Sequence, residues 1–72
     1  MRYAVVIEKG PHGYGAYVPD LPGCVAAGDT PEEVERLIRE AITFHVEGLR
    51  EGGFPVPHPT AACQYVEIPA RP

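Results

Sequence analysis

The stretch from Tyr14 to Val34, YGAYVPDLPGCVAAGDTPEEV, leaves this chain fewer folding options than any other. Within it, Pro19-Asp20-Leu21-Pro22-Gly23 is locked by two prolines and released by a glycine, which makes a tight chain reversal. Tyr14 to Val18 precedes the reversal and Cys24 to Ala27 follows it, so it joins two strands. Gly28-Asp29 stops the second of them. Thr30-Pro31-Glu32-Glu33 then opens a helix. Threonine accepts a backbone hydrogen bond as N-cap, proline suits the first helical position, and Glu33 is placed to close a capping box. Acids in that first turn also meet the positive end of the helix dipole.

The flanking segments extend this unit. Arg2 to Lys9 reads as a first strand, with Tyr3, Val5 and Ile7 on one face and Ala4, Val6 and Glu8 on the other. Both faces are largely apolar, which predicts a strand inside the sheet. Gly10-Pro11-His12-Gly13 is a hairpin connection into the Tyr14 strand. The helix is predicted from about Pro31 to Glu51, with Val34, Leu37, Ile38, Ala41, His45 and Leu49 recurring at helical spacing toward the sheet. Glu35 and Arg39 stand four apart in the favourable order. Phe44, with Val46 and Gly48, forms a second apolar side suited to another subunit. Gly52-Gly53 ends the helix. Phe54-Pro55-Val56-Pro57-His58-Pro59 is a stiff return path, and Cys63 to Pro69 alternates as a last strand.

These elements predict an α+β domain over residues 1–72 with order β-β-β-α-β. A meander of three strands, a helix crossing one face, and a returning strand beside the first give a four-stranded sheet of order 4-1-2-3 with a right-handed crossover. One helix covers only one face, so the other is expected to be partly apolar and to meet a partner.

Seventy-two residues make one marginally stable domain, for which self-association is the expected support. Six basic residues against ten acidic ones leave a net charge of −4, which disfavours direct nucleic-acid binding and suits a basic protein partner. No apolar run approaches a membrane span and no leader pattern opens the chain, so a cytoplasmic location without membrane association is expected. Cys24 and Cys63 are too few for a disulfide scaffold and read as small buried strand residues. His12, His45 and His58 share no ligand spacing, and His45 falls on the core stripe as a buried residue. Glu8, Asp20 and Asp29 sit at strand ends and loops, where solvated acids and caps are ordinary; a metal-dependent nuclease would need them to converge. No catalytic, metal or cofactor residues are therefore assigned. Tyr17, Asp20 and Leu21, presented by a rigid turn, and Phe44 on the helix are the expected partner contacts.

The run Gly13-Tyr14-Gly15-Ala16-Tyr17-Val18-Pro19-Asp20-Leu21-Pro22-Gly23-Cys24, followed by Gly28-Asp29-Thr30-Pro31-Glu32-Glu33, resembles the HicB-like antitoxin family. The resemblance continues through the helix to Pro55-Val56-Pro57 and covers most of the chain. It implies a degenerate RNase H-like domain without a nuclease site. It also implies a partner, the HicA-like RNA-cleaving toxin of a type II toxin–antitoxin system, whose active surface the antitoxin masks. Many members of that family carry a C-terminal DNA-binding segment, for which the residues up to Pro72 leave no room. The alternatives are a solitary homo-oligomer, dimer or tetramer, with no toxin, and a residual RNase H-like nuclease resting on Asp20 and Asp29.

Overall fold

The computed structural model describes residues 1–70; Arg71 and Pro72, on which the expected 1–72 domain boundary falls, lie outside them. Three strands form, β1 (Val6–Gly10), β2 (Gly13–Tyr17) and β3 (Val25–Gly28), followed by one helix, α1 (Pro31–Glu51). The strands make an antiparallel meander in the order β1-β2-β3.

This corrects the expected four-stranded sheet of order 4-1-2-3: among the described residues there is no fourth strand. Residues 63–69 carry an alternating pattern but pair with nothing, and they are exposed throughout. Alternation only sorts side chains between two faces; a strand also needs a neighbour for its backbone groups. β1 is consequently an edge strand, although its two apolar faces predicted an interior one. It is also shorter at its start than Arg2 to Lys9. Val6 lies opposite Tyr17, so residues 2–5 would face the proline turn that begins where β2 stops. A turn offers them no continuous ladder.

The connections explain the register. Gly13 has a φ of +153°, and a Cβ there would come within 2.7 Å of the Gly28 carbonyl oxygen. Only glycine lets β2 begin that close to β3. At the other end of the unit, Thr30 Oγ1 accepts from the Glu33 N–H at 3.1 Å. The Glu33 carboxylate reaches past the cap and accepts from the Asp29 N–H, also at 3.1 Å. The capping box is thus displaced by one residue: it satisfies one end-of-helix donor, the Glu33 N–H, and the Asp29 N–H just before the cap. At the C-terminus Gly53 takes a φ of +73°. Its N–H bonds Arg50 O at 3.1 Å, and the Phe54 N–H bonds Leu49 O at 2.9 Å. Those two bonds are a Schellman stop, which glycine makes without steric cost.

The core lies between the sheet and α1. Ala16, Val18, Leu21 and Cys24 from the meander meet Val34, Ile38 and Val46 from the helix. Burying a valine, leucine or isoleucine side chain contributes about 1.5–3 kcal/mol, and only Val18, Leu21, Val34, Ile38 and Val46 are of that kind, so the core is small. Val46 belongs to this core and not to an outer contact with Phe44, and His45 is only half-buried. The apolar stripe drifts around the helix toward its C-terminus, because a 3.6-residue turn does not bring every seventh residue back into line. Cys24 is buried as expected, but Cys63 is exposed, because the segment carrying it joins no sheet.

Candidate protein-binding surface

The sheet presents two different faces. Register places Ile7, Ala16 and Ala26 in one row beneath α1. The next row, Val6, Tyr17 and Val25, crosses all three strands on the opposite face. Tyr17 is 43% exposed and Val25 64%. Beside them, Gly15 and Ala27 add no side chain long enough to shield the row. An apolar stripe therefore lies open to solvent on the side that the helix leaves bare.

The Pro19–Gly23 turn stands at the end of this row. Its backbone closes on itself: Leu21 N–H donates to Val18 O at 3.1 Å, Cys24 N–H to Leu21 O at 3.0 Å, and Val18 N–H to Cys24 O at 3.2 Å. Leu21 points inward and has no exposed surface, so it anchors the turn and does not contact the outside. Burial also pushes the Cys24 thiol up, which keeps it in the unreactive protonated form.

Asp20 is the polar residue of the turn, and its carboxylate is already engaged. It accepts from the Thr60 N–H at 3.0 Å, from the Thr60 hydroxyl at 2.7 Å and from the Ala61 N–H at 3.0 Å. The Ala61 N–H, then the Thr60 hydroxyl and N–H, hold the Asp20 carboxyl below the usual carboxylate range against the opposing effect of desolvation. The turn thus clamps the chain where it leaves the proline segment. The Tyr3 hydroxyl adds a second tie by donating to the Pro57 carbonyl.

Phe44 stands apart from both features. It is 80% exposed on the outer side of α1. On the same helix, Arg39 pairs with Glu35 at 3.0 Å and Arg36 with Glu40 at 2.8 Å. All four side chains are well exposed, so each pair is worth a few tenths of a kcal/mol.

Of the expected contacts, Tyr17 lies on the open apolar row, Asp20 in the clamp, Leu21 in the core and Phe44 on the outer helix. The structure does not bring the four together. Val6 and Val25 were missed, though drawing the strand register beside Tyr17 finds both. Thr60 and Ala61 were missed too, and no local signal announces a partner forty residues away. Among the described residues, no three His, Cys, Asp or Glu side chains come together as a metal site. No helix is long and apolar enough to cross a membrane.

Comparison with known proteins places these features. The profile of the family described as "HicB_like antitoxin of bacterial toxin-antitoxin system" matches residues 3–70. A 14.9 kDa protein from the rep–hol intergenic region of Haemophilus phage HP1 is 44% identical over 69 residues, covering 96% of this chain and 52% of its own length. Antitoxin HicB 2 of Photorhabdus laumondii is 33% identical over 75 residues, covering 97% of this chain and 51% of its own length. The chain therefore spans about half the length of these two relatives. A chain of a HicA3 and HicB3 toxin-antitoxin complex superposes with a TM-score of 0.71 at 37% identity, covering 83% of this chain and 70% of that one. With the turn, the cap and the helix all inside the matched span, the chain belongs to the HicB-like antitoxin family.

Proposed function

We propose that this chain is a toxin-neutralising, protein-binding domain. It binds a small HicA-like RNA-cleaving toxin and masks the toxin's active surface. The observation that carries the reading is the likeness to a chain of the HicA3–HicB3 complex, at a TM-score of 0.71 and 37% identity. The net charge of −4 supports it, because an acidic domain can occupy ground that RNA phosphates would use on a basic toxin. The chain works without catalysis. Asp20, which a residual nuclease would need, is engaged by Thr60 and Ala61. It acts in the cytoplasm beside its toxin and does not itself hold nucleic acid.

Tyr17, at the centre of the Val6–Tyr17–Val25 row, is the leading contact, and Phe44 extends the contact surface along the helix. Asp20 and Leu21 contribute by fixing the turn beside that row. Co-expression with the HicA-like toxin of the same host tests the proposal. The wild-type chain is expected to relieve growth arrest, and Tyr17→Asp to lose most of the relief while keeping its helical circular dichroism. Arrest that no HicA-like toxin of the host yields to wild-type chain overturns it.

A second reading, a homo-oligomer without a toxin, is favoured by a different observation: an exposed apolar row and an exposed C-terminal segment on the same small chain. A dimer or tetramer would cover both.

A further inference from the structure

The described residues do not form one compact body. Their radius of gyration is 14.6 Å, with a longest extent of 56 Å. A compact chain of this length would have a radius of about 11 Å. The excess comes from the C-terminal segment, in which Tyr65 is fully exposed, Val66 74% and Ile68 78% exposed. Apolar side chains at alternate positions, with no backbone hydrogen bond to another described residue, are the makings of a strand without a sheet.

The same chain holds a sheet edge without a strand. Among the described residues β1 pairs only with β2, so its outer edge carries no strand. At the start of that edge lies a groove of about 550 Å³ between the residues leading into β1 and the helix, lined by Tyr3, Val5, Ile7, Ile38 and Ile42 together with Glu35 and Arg39. No residue of the C-terminal segment lines it. The Asp20 clamp fixes the segment's start at Thr60 and Ala61, and the preceding proline run stiffens its approach. The segment passes beside Arg2 to Ala4 and then leaves the body.

We propose that two copies of this chain exchange these segments. Residues 63–69 of each copy add to the free β1 edge of the other and seat Val66 and Ile68 in its groove. Each chain's own sheet keeps three strands. Because edge and segment occur on every copy, a two-fold exchange satisfies both copies at once and closes without growing into a fibre. Main-chain bonds along β1 supply affinity, and the spacing of two aliphatic side chains in the groove sets the register. Tyr65 then falls on the opposite face, beside the Val6–Tyr17–Val25 row. The exchange deepens the self-association reading and does not depend on a toxin.

The test is sedimentation of the full chain at micromolar concentration, with amide exchange followed across a dilution series. Expected are twice the chain mass, protection of residues 63–69 that disappears on dilution, and conversion to monomer by Val66→Asp with Ile68→Asp. Those side chains are exposed in the single chain, so the double variant keeps its helical circular dichroism. A monomer throughout overturns the proposal. So does protection of 63–69 within a monomer, which would mean the segment folds onto its own chain. A dimer that survives the double variant with 63–69 unprotected overturns it as well, as does protection gained only when a HicA-like toxin is added. Growth relief by a wild-type chain that stays monomeric overturns the exchange alone, and an exchanged dimer that relieves no arrest overturns only the toxin reading.

Discussion

β2 and the segment 63–69 are both short and rich in alternating apolar residues, yet their circumstances differ completely. β2 lies between β1 and β3, with Ala16 buried beneath the helix and Tyr17 on the open face. Its residues Tyr14 to Tyr17 each have a ladder neighbour on both sides. The 63–69 segment has none, and its side chains stand in solvent. The difference teaches that closeness along the chain decides which pairings form locally. Connections of two and seven residues bring β1 and β3 to β2 at small entropic cost. The last segment must return across a 21-residue helix and a proline run, and the clamp holds it pointing elsewhere.

The sharpest way to break the contrast is to remove a residue from the sheltered side. Leu21→Ala leaves a cavity where no surface was exposed and is expected to cost about 2–5 kcal/mol. A domain of this size holds roughly 4–11 kcal/mol in all, so urea melts should show a large loss or outright unfolding. Gly13→Ala strikes the pairing of β2 with β3, since its Cβ meets the Gly28 carbonyl at 2.7 Å. A loss of about 1–3 kcal/mol is expected by the same melts.

Asp20→Asn tests the junction between the two regions. It removes the carboxylate that Thr60 and Ala61 address, so faster amide exchange at Thr60 and Ala61 is expected, with the meander's exchange unchanged. The wild-type chain should respond to acid in the same way. Asp20 titrates below its unfolded value of about 3.9, so its clamp is fully present above that pH and is lost as the pH falls through the depressed value. Release at neutral pH would contradict the assignment. The smallest effect is expected from Val66→Ala in dilute monomer, within about 0.5 kcal/mol of wild type, because that side chain is 74% exposed. A larger loss of stability in monomer would show that the segment packs on its own body.

The sequence by itself determined the meander, the closed turn at Pro19–Gly23, the helix from Pro31 to Glu51 and both of its ends. Those features are written in residues with strong local preferences: proline and glycine in the turn, threonine with proline at the cap, paired glycines at the stop. It also carried the family, because the turn and cap that identify it are local too. The tertiary structure alone decided that β1 is an edge, that Val46 joins the core, and that Asp20 is spent on Thr60 and Ala61. It likewise decided that Leu21 is buried while Tyr17 is open. Alternation says which side chains share a face; only the assembled chain says whether another strand lies alongside, because that pairing depends on distant residues meeting in space.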